Sequence, residues 1–377
     1  MKTAIRTCAT VLLVTVFVLT GCAPTQPAPV ATTAPVATTA PVATTAPVAT
    51  TGPKVLMPAD LPKNIWSRVD LVNQLPKKPI RIAFLTLQTN AFWNLYAYGA
   101  HQAVSYFEPL GVTVDYIVMG NSIDAQTVDA ALDAAMVQGY DGIIVCPFAV
   151  GTEVYINKAV DQGIPVIATL GQSTVPSKAF LFMGQDGYTA TKQLGVYMAN
   201  KYPDGGKYGV ITEAFGVQIF DQRDKGFEDG ITSTGAKWTL VGTYESHDSA
   251  DTIYSLTKDM ITANPDLKVV YVSSGGNAGA AKAIADTGNT GKIMSAGHDE
   301  IPDNLALVKS GLMDLVSQDP AGVAFSSVEY MYNYLVAGQK PSVVNIPSKS
   351  VVVDLANVNE WISMLPPSMQ SGLSTTP

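Results

Sequence analysis

The chain has 377 residues, 31 acidic against 23 basic side chains, a formal net charge of −8 and 47% hydrophobic content. Three cysteines are too few for a disulfide-stapled scaffold. The apolar content is too high for a disordered chain, and the acidic balance argues against nucleic-acid binding through a basic face.

The N-terminus reads as an address. Lys2 and Arg6 precede an apolar run over 9–19, ATVLLVTVFVL. That run is shorter than the roughly 20 apolar residues of a membrane span and has the form of a secretory signal peptide, placed at 1–21. It ends in Leu19-Thr20-Gly21-Cys22, which resembles a bacterial lipobox and implies diacylation of Cys22. Two acyl chains, at about 0.8 kcal/mol per buried CH₂, hold stably in a bilayer. A Pro/Thr/Ala-rich spacer is expected over 22–76, with PVATTA repeating from Pro29, Pro35, Pro41 and Pro47. Side chains this small cannot offset the entropy of ordering the chain. Extended, about 30 such residues reach about 90 Å.

From residue 79 the pattern changes. Strands are expected at 80–85, 112–118, 142–146, 164–169 and 180–183, with helices at 91–107, 125–137 and 152–162 between them. The alternation continues with helix 188–201, strand 207–212, helix 221–233, strand 238–244, helix 249–263, strand 267–272 and helix 277–287. It closes with strand 292–296, helix 302–310, strand 313–317 and helix 321–337. The run GIIVC at 142–146 is continuously apolar, as in a parallel strand buried on both faces, and Cys146 reads as a small buried hydrophobe. Regular βα alternation means parallel sheets covered by helices. One sheet of that many strands would be unusually wide, so the fold class is α/β, with two doubly wound parallel-sheet lobes. Ligands bind such lobes beyond the C-terminal strand ends.

Several stretches, in order, resemble one family. They are IAFLTLQTNAFWNLYAYG (82–99), GYDGIIVCPF (139–148), GIPVIATL (163–170), QRDKGFEDG (222–230) and AGHDEIPDNLALVKSGLMDLVSQDP (296–320). The set is similar to the ribose-type periplasmic binding proteins, the substrate-binding subunits of sugar ABC importers. The resemblance implies two lobes joined by three hinge crossovers, near 184–185, 318–319 and 347–348. The N-terminal lobe would comprise 77–184 and 319–347, the C-terminal lobe 185–318 and 348–364, and 365–377 a tail. It implies a monomer that binds a small neutral sugar or polyol by hinge closure, delivers it to permease subunits, and needs no cofactor or metal.

By the same resemblance the ligand contacts would come from Thr86, Asn90, Phe92, Trp93, Arg223, His298, Asp299 and Gln318, with Phe220 and Asp221 flanking. Aromatic surface suits the C–H faces of a sugar. A guanidinium forks onto hydroxyls, and an ionised carboxylate accepts their protons. At two places the chain departs from the ribose pattern. Leu170 and Gly171, with Gln172 nearby, stand where ribose binders carry an Asp-Arg pair, and Ser274 and Asn277 lie in SSGGN in place of Asn-Asp. His247 and Asp248 fall where the family has another cleft aromatic. No H-E-x-x-H, G-x-S-x-G, Walker or Rossmann motif occurs, so an enzyme is not expected. A sensor for a sugar-like signal and a nucleoside-binding lipoprotein remain as alternatives.

Overall fold

A computed structural model describes residues 55–87, 90–120, 124–247, 249–371 and 373. The signal peptide, Cys22, the PVATTA repeats and Asp248 lie outside the described residues.

The first lobe is built from β1 (Ile80–Thr86), α1 (Ala91–Phe107), β2 (Val112–Val118), α2 (Ala125–Val137), β3 (Gly142–Val145), α3 (Thr152–Asp161), β4 (Val166–Thr169) and β5 (Leu181–Gly184). The chain then enters the second lobe. Its elements are α4 (Gly187–Lys201), β6 (Gly206–Thr212), α5 (Gln218–Thr232), β7 (Trp238–Glu245), α6 (Ala250–Ala263), β8 (Leu267–Val272), α7 (Asn277–Asp286), β9 (Met294–His298), α8 (Pro302–Lys309) and β10 (Met313–Val316). Helix α9 (Pro320–Ala337) and β11 (Asn345–Pro347) return to the first lobe. Strand β12 (Val352–Val353) and helices α10 (Val358–Met364) and α11 (Pro367–Gln370) follow.

The first sheet has the order β11-β5-β4-β3-β1-β2, and the second β12-β10-β9-β8-β6-β7. All pairings in the first are parallel. In the second, β12 runs antiparallel to β10, so one edge departs from the purely parallel expectation. Strands β3, β4, β9 and β10 are buried along their whole length; β3 reads as an unbroken apolar run for that reason, while β9 and β10 bury Ser295, His298 and Asp314 as well. Several helices begin where a short polar side chain takes an orphan amide. Asn90 caps α1 through the Trp93 N–H, Asp186 caps α4 through Thr189, and Asp319 caps α9 through Gly322.

Several boundaries differ from the sequence expectation, and three of them bear on the site or the lobe. Strand β9 spans Met294–His298 rather than 292–296. Helix α5 starts at Gln218, so Arg223 lies in its second turn. The spacer expected to reach residue 76 ends sooner. Leu61, Trp66, Leu71, Val72 and Leu75 pack against the core of the first lobe, giving this stretch the apolar surface the repeats lack. Polar bonds fix it there. The Val72 N–H donates to Asn333 Oδ1 at 2.9 Å, the Arg68 N–H to Glu329 Oε2 at 2.9 Å, and the Tyr332 hydroxyl to the Gln74 carbonyl at 2.6 Å. The expected tail is likewise partly built in, since Leu365 and Leu373 are buried with α8, β10 and α10.

Candidate functional site

The three passages between the sheets follow β5, β10 and β11, and the C-terminal strand ends of both lobes meet beside them. There lies a cavity of about 340 Å³. Asn90, Phe92 and Trp93 from the start of α1, Phe148 after β3 and Leu170 after β4 line it from the first lobe. Glu213 after β6, Phe220 and Arg223 on α5, Ser274 and Gly275 after β8, Asp299 after β9 and Gln318 after β10 line it from the second.

The first lobe supplies an aromatic wall. Phe92 meets Trp93 edge-on at 5.5 Å between ring centres, and Trp93 meets Phe148 at 6.3 Å, again near perpendicular. Trp93 is buried against the core, so only part of the indole reaches the cavity.

The second lobe supplies a fixed polar wall. Arg223 is buried, and its guanidinium is held by the protein on every side. Nε donates to Gln185 Oε1 at 2.9 Å, Nη1 to the Ser273 carbonyl at 2.8 Å and Nη2 to Gln318 Oε1. Burial draws its pKa down, while Asp299 and Glu213 oppose that shift. Gln318 Nε2 in turn donates to Asp299 Oδ1. Asp299 sits in the left-handed region at φ 69°, a strained place for a residue with a side chain. Asn304 holds the turn by donating Nδ2 to the carbonyls of His298 and Asp299 at 2.9 and 3.0 Å. The absence of a side chain at Gly275 is also needed, because a Cβ there would stand 2.6 Å from Asp299 Oδ2. Below this layer, burial pushes the Asp224 carboxyl up to about 6 and that of Glu300 up to about 7. Glu300 accepts the backbone N–H groups of Gln318 and Asp319 at 2.9 and 2.7 Å.

Of the residues expected from the sequence, Asn90, Phe92, Trp93, Arg223, Ser274, Asp299 and Gln318 thus come together. Four others do not line this cavity. Thr86 is fully buried, its hydroxyl directed at the Leu87 carbonyl. His298 lies inside β9, where Nε2 bonds the Tyr271 hydroxyl at 2.7 Å and burial pulls its pKa well below the usual value. It is a neutral core imidazole, displaced from the site by the two-residue shift of the strand. Asn277 is buried at the start of α7, donating to the Ser274 carbonyl. Gln172 faces an adjoining cavity. Asp248 is outside the described residues, but its neighbour His247 lines the cleft.

Phe148 and Glu213 were missed. Each lies just beyond the C-terminal end of a parallel strand, which is the signal that could have found them. Among the described residues no group of three His, Cys, Asp or Glu side chains is placed to hold a metal ion. The arrangement binds and orients. It offers aromatic faces, one carboxylate fixed by an amide, and a second carboxylate at Glu213.

A family model described as "Periplasmic binding protein domain" matches residues 82–340. Two curated relatives come from Escherichia coli (strain K12). The chain is 26% identical to the ABC transporter periplasmic-binding protein YphF over 289 residues, covering 72% of this chain and 85% of the relative. It is 22% identical to the D-allose-binding periplasmic protein over 261 residues, covering 67% and 83%. The solved structure of a periplasmic ribose ABC transporter from Conexibacter woesei DSM 14684 shares the fold. It superposes with a TM-score of 0.70 at 23% identity, over 77% of this chain and 97% of the other.

Proposed function

The chain belongs to the periplasmic binding protein family, whose members bind solutes rather than transform them, and from that premise we propose that it captures a sugar or polyol for an ABC importer. One observation carries this most directly. Across a single cavity, the aromatic wall of Phe92, Trp93 and Phe148 opposes the hydrogen-bonding wall of Arg223, Asp299 and Gln318. A sugar ring has apolar C–H faces and a hydroxyl rim, and the two walls answer these separately. Asp299 accepts hydroxyl protons. Gln318 and Arg223 hold that carboxylate in place, while Asn90 and Ser274 add polar contacts at the edges. Closure of the lobes on the ligand follows from contacts that only the closed state makes with both walls, and permease subunits read the closed form. The cleft aromatics meet edge to face rather than as a parallel sandwich, which favours a sugar over a nucleobase.

The protein acts outside the cytoplasm, as its family does, held to the membrane through acylated Cys22 by a spacer that ends near residue 57. Support for the anchor lies in the register of basic start, apolar run and Leu19-Thr20-Gly21-Cys22. Replacing Cys22→Ser should release the protein from membranes, and a variant that stays bound refutes the anchor.

The function is tested by a thermal-shift screen against pentoses, hexoses, polyols and nucleosides. A ligand at 100 times its Kd stabilises by about 2.7 kcal/mol. A response to nucleosides alone overturns the sugar reading.

A further inference from the structure

A second cavity of about 380 Å³ adjoins the first. The two share Leu170 from the first lobe and Ile219 from the second, so these two side chains form the neck between them. The second chamber runs along the first and third crossovers, past Gly184, Gln185 and Pro347. Its chemistry differs from that of the first. Beside Gln185, whose amide is bonded to Arg223 and Ser317, Gln172 and Asn345 from the first lobe and Gln218 and Gln222 from α5 give it four further primary amides, and Phe182 adds a half-buried ring. Asp186 is its one charged lining residue.

Two features set the shape of the wall at the neck. Leu170 is held at φ 64°, a left-handed conformation costly for a leucine, and its N–H is tied to the Met183 carbonyl at 2.8 Å. Gly171 follows it, and a Cβ there would come within 2.2 Å of the Phe148 ring. An ordinary turn with an ordinary side chain would therefore displace a wall of the first chamber.

We propose that the natural ligand is a neutral two-ring saccharide, with one ring in the aromatic–carboxylate chamber and the second among the amides. Each primary amide offers two donors and an acceptor, which suits vicinal hydroxyls whose donor and acceptor roles alternate. Amides carry no net charge and Asp186 supplies only acceptors, so this chamber favours a polyhydroxy group over an acid. The Phe182 ring meets one apolar face of that second sugar. Each chamber alone lies near the lower end of small-ligand pockets, and together they remain inside the usual range of about 300–1,000 Å³. The proposal rests on the sugar reading of the first chamber.

The test is calorimetric titration of the protein with xylose, glucose and galactose, and with xylobiose, cellobiose, maltose and lactose. At least one disaccharide should bind about tenfold or more tighter than its own monosaccharides, the gain expected from one or two added hydrogen bonds. The double variant Gln222→Ala with Asn345→Ala should erase that gain and leave monosaccharide affinity as it was. Monosaccharides that bind as tightly as their dimers, or a double variant that weakens both alike or neither, overturn the second subsite while the sugar function stands. Silence from every sugar in the panel overturns both.

Discussion

Arg223 separates a residue that holds the site from one that holds the ligand. Truncation in Arg223→Ala leaves three buried acceptors, Gln185 Oε1, Gln318 Oε1 and the Ser273 carbonyl, without the donors that now reach them. Each unsatisfied acceptor costs about 1–2 kcal/mol, so the loss comes to about 3–6 kcal/mol. That is a large part of the 5–15 kcal/mol typical of a folded domain. The cost falls on the unliganded protein, since each guanidinium nitrogen already donates a bond to the protein there. Urea unfolding without ligand should therefore shift to a clearly lower midpoint in the transition of the second lobe. Arg223→Lys should lie between the two, because one ammonium cannot span three fixed acceptors. Asp299→Asn gives the opposite pattern. It keeps the shape and one acceptor but loses the charge, so affinity for a bound saccharide should fall by about 1.5–3 kcal/mol, while the unfolding midpoint stays nearly constant. An Arg223→Ala protein that unfolds at the parental midpoint refutes the assignment of its guanidinium to the hinge network.

Gly275→Ala brings a methyl against the Asp299 carboxylate; calorimetry should show roughly tenfold weaker saccharide binding, about 1.4 kcal/mol, at little change in melting temperature. Arg68 reaches from the packed N-terminal segment to Asp319 at 2.7 Å. Arg68→Ala should cost about 1–2 kcal/mol by leaving a buried carboxylate without its partner, and should speed hydrogen exchange at Gln318 and Asp319. Glu300 and Glu329 are both raised by burial to about 7 from 4.5. The folded chain thus binds more protons than the unfolded chain between those values, and stability falls as pH rises from about 4.5 to 7. Melting temperatures across that window should decline with pH, with a shallower slope in Glu329→Gln; a rise would contradict the burial of these carboxyls. The exposed Asp229, Asp266 and Asp286, held low by their lysines, act below this window; within it His298, lowered by burial, opposes the decline, and Asp224, raised to about 6, joins the two glutamates in outweighing it.

The alternation of strands and helices was legible because each helix carries a buried stripe and each core strand a short apolar run. Strand ends were less so. A parallel strand buried on both faces has no alternation to mark where it stops; β9 runs two residues further than expected, and His298, named as a contact by the family resemblance, is its last residue and bonds Tyr271. Asp299 and Gln318 follow β9 and β10 and line the cavity from those loops. Leu170, Gly171 and Gln172 were visible as a departure from the ribose pattern, but a second chamber is a property of walls from four chain segments, which spacing does not reveal. The packed segment before β1 had a readable signal: Leu61, Trp66, Leu71, Val72 and Leu75 end the small-residue composition of the repeats.

Gln185 shows how the site and the hinge are joined. It follows β5 at the first crossover, and its Oε1 takes the Arg223 Nε–H. Its Nε2 donates to the Ser317 carbonyl at 3.1 Å, at the second crossover, and stands 3.5 Å from Ser350 Oγ at the third. Ser317 extends the lacing, since its Oγ accepts the Val351 N–H at 3.0 Å. The three crossovers are therefore tied side to side and turn together. Gln185→Leu would loosen this lacing without removing any group that lines the first chamber. Its effect on monosaccharide binding then enters only through the fraction of molecules able to close, which divides every intrinsic Kd by the same factor. Affinities for xylose, glucose and galactose should weaken in equal proportion, leaving their ratios as in the parent. Ratios that change with the sugar would place Gln185 in the ligand's contact shell instead and dissolve its role as a hinge tie.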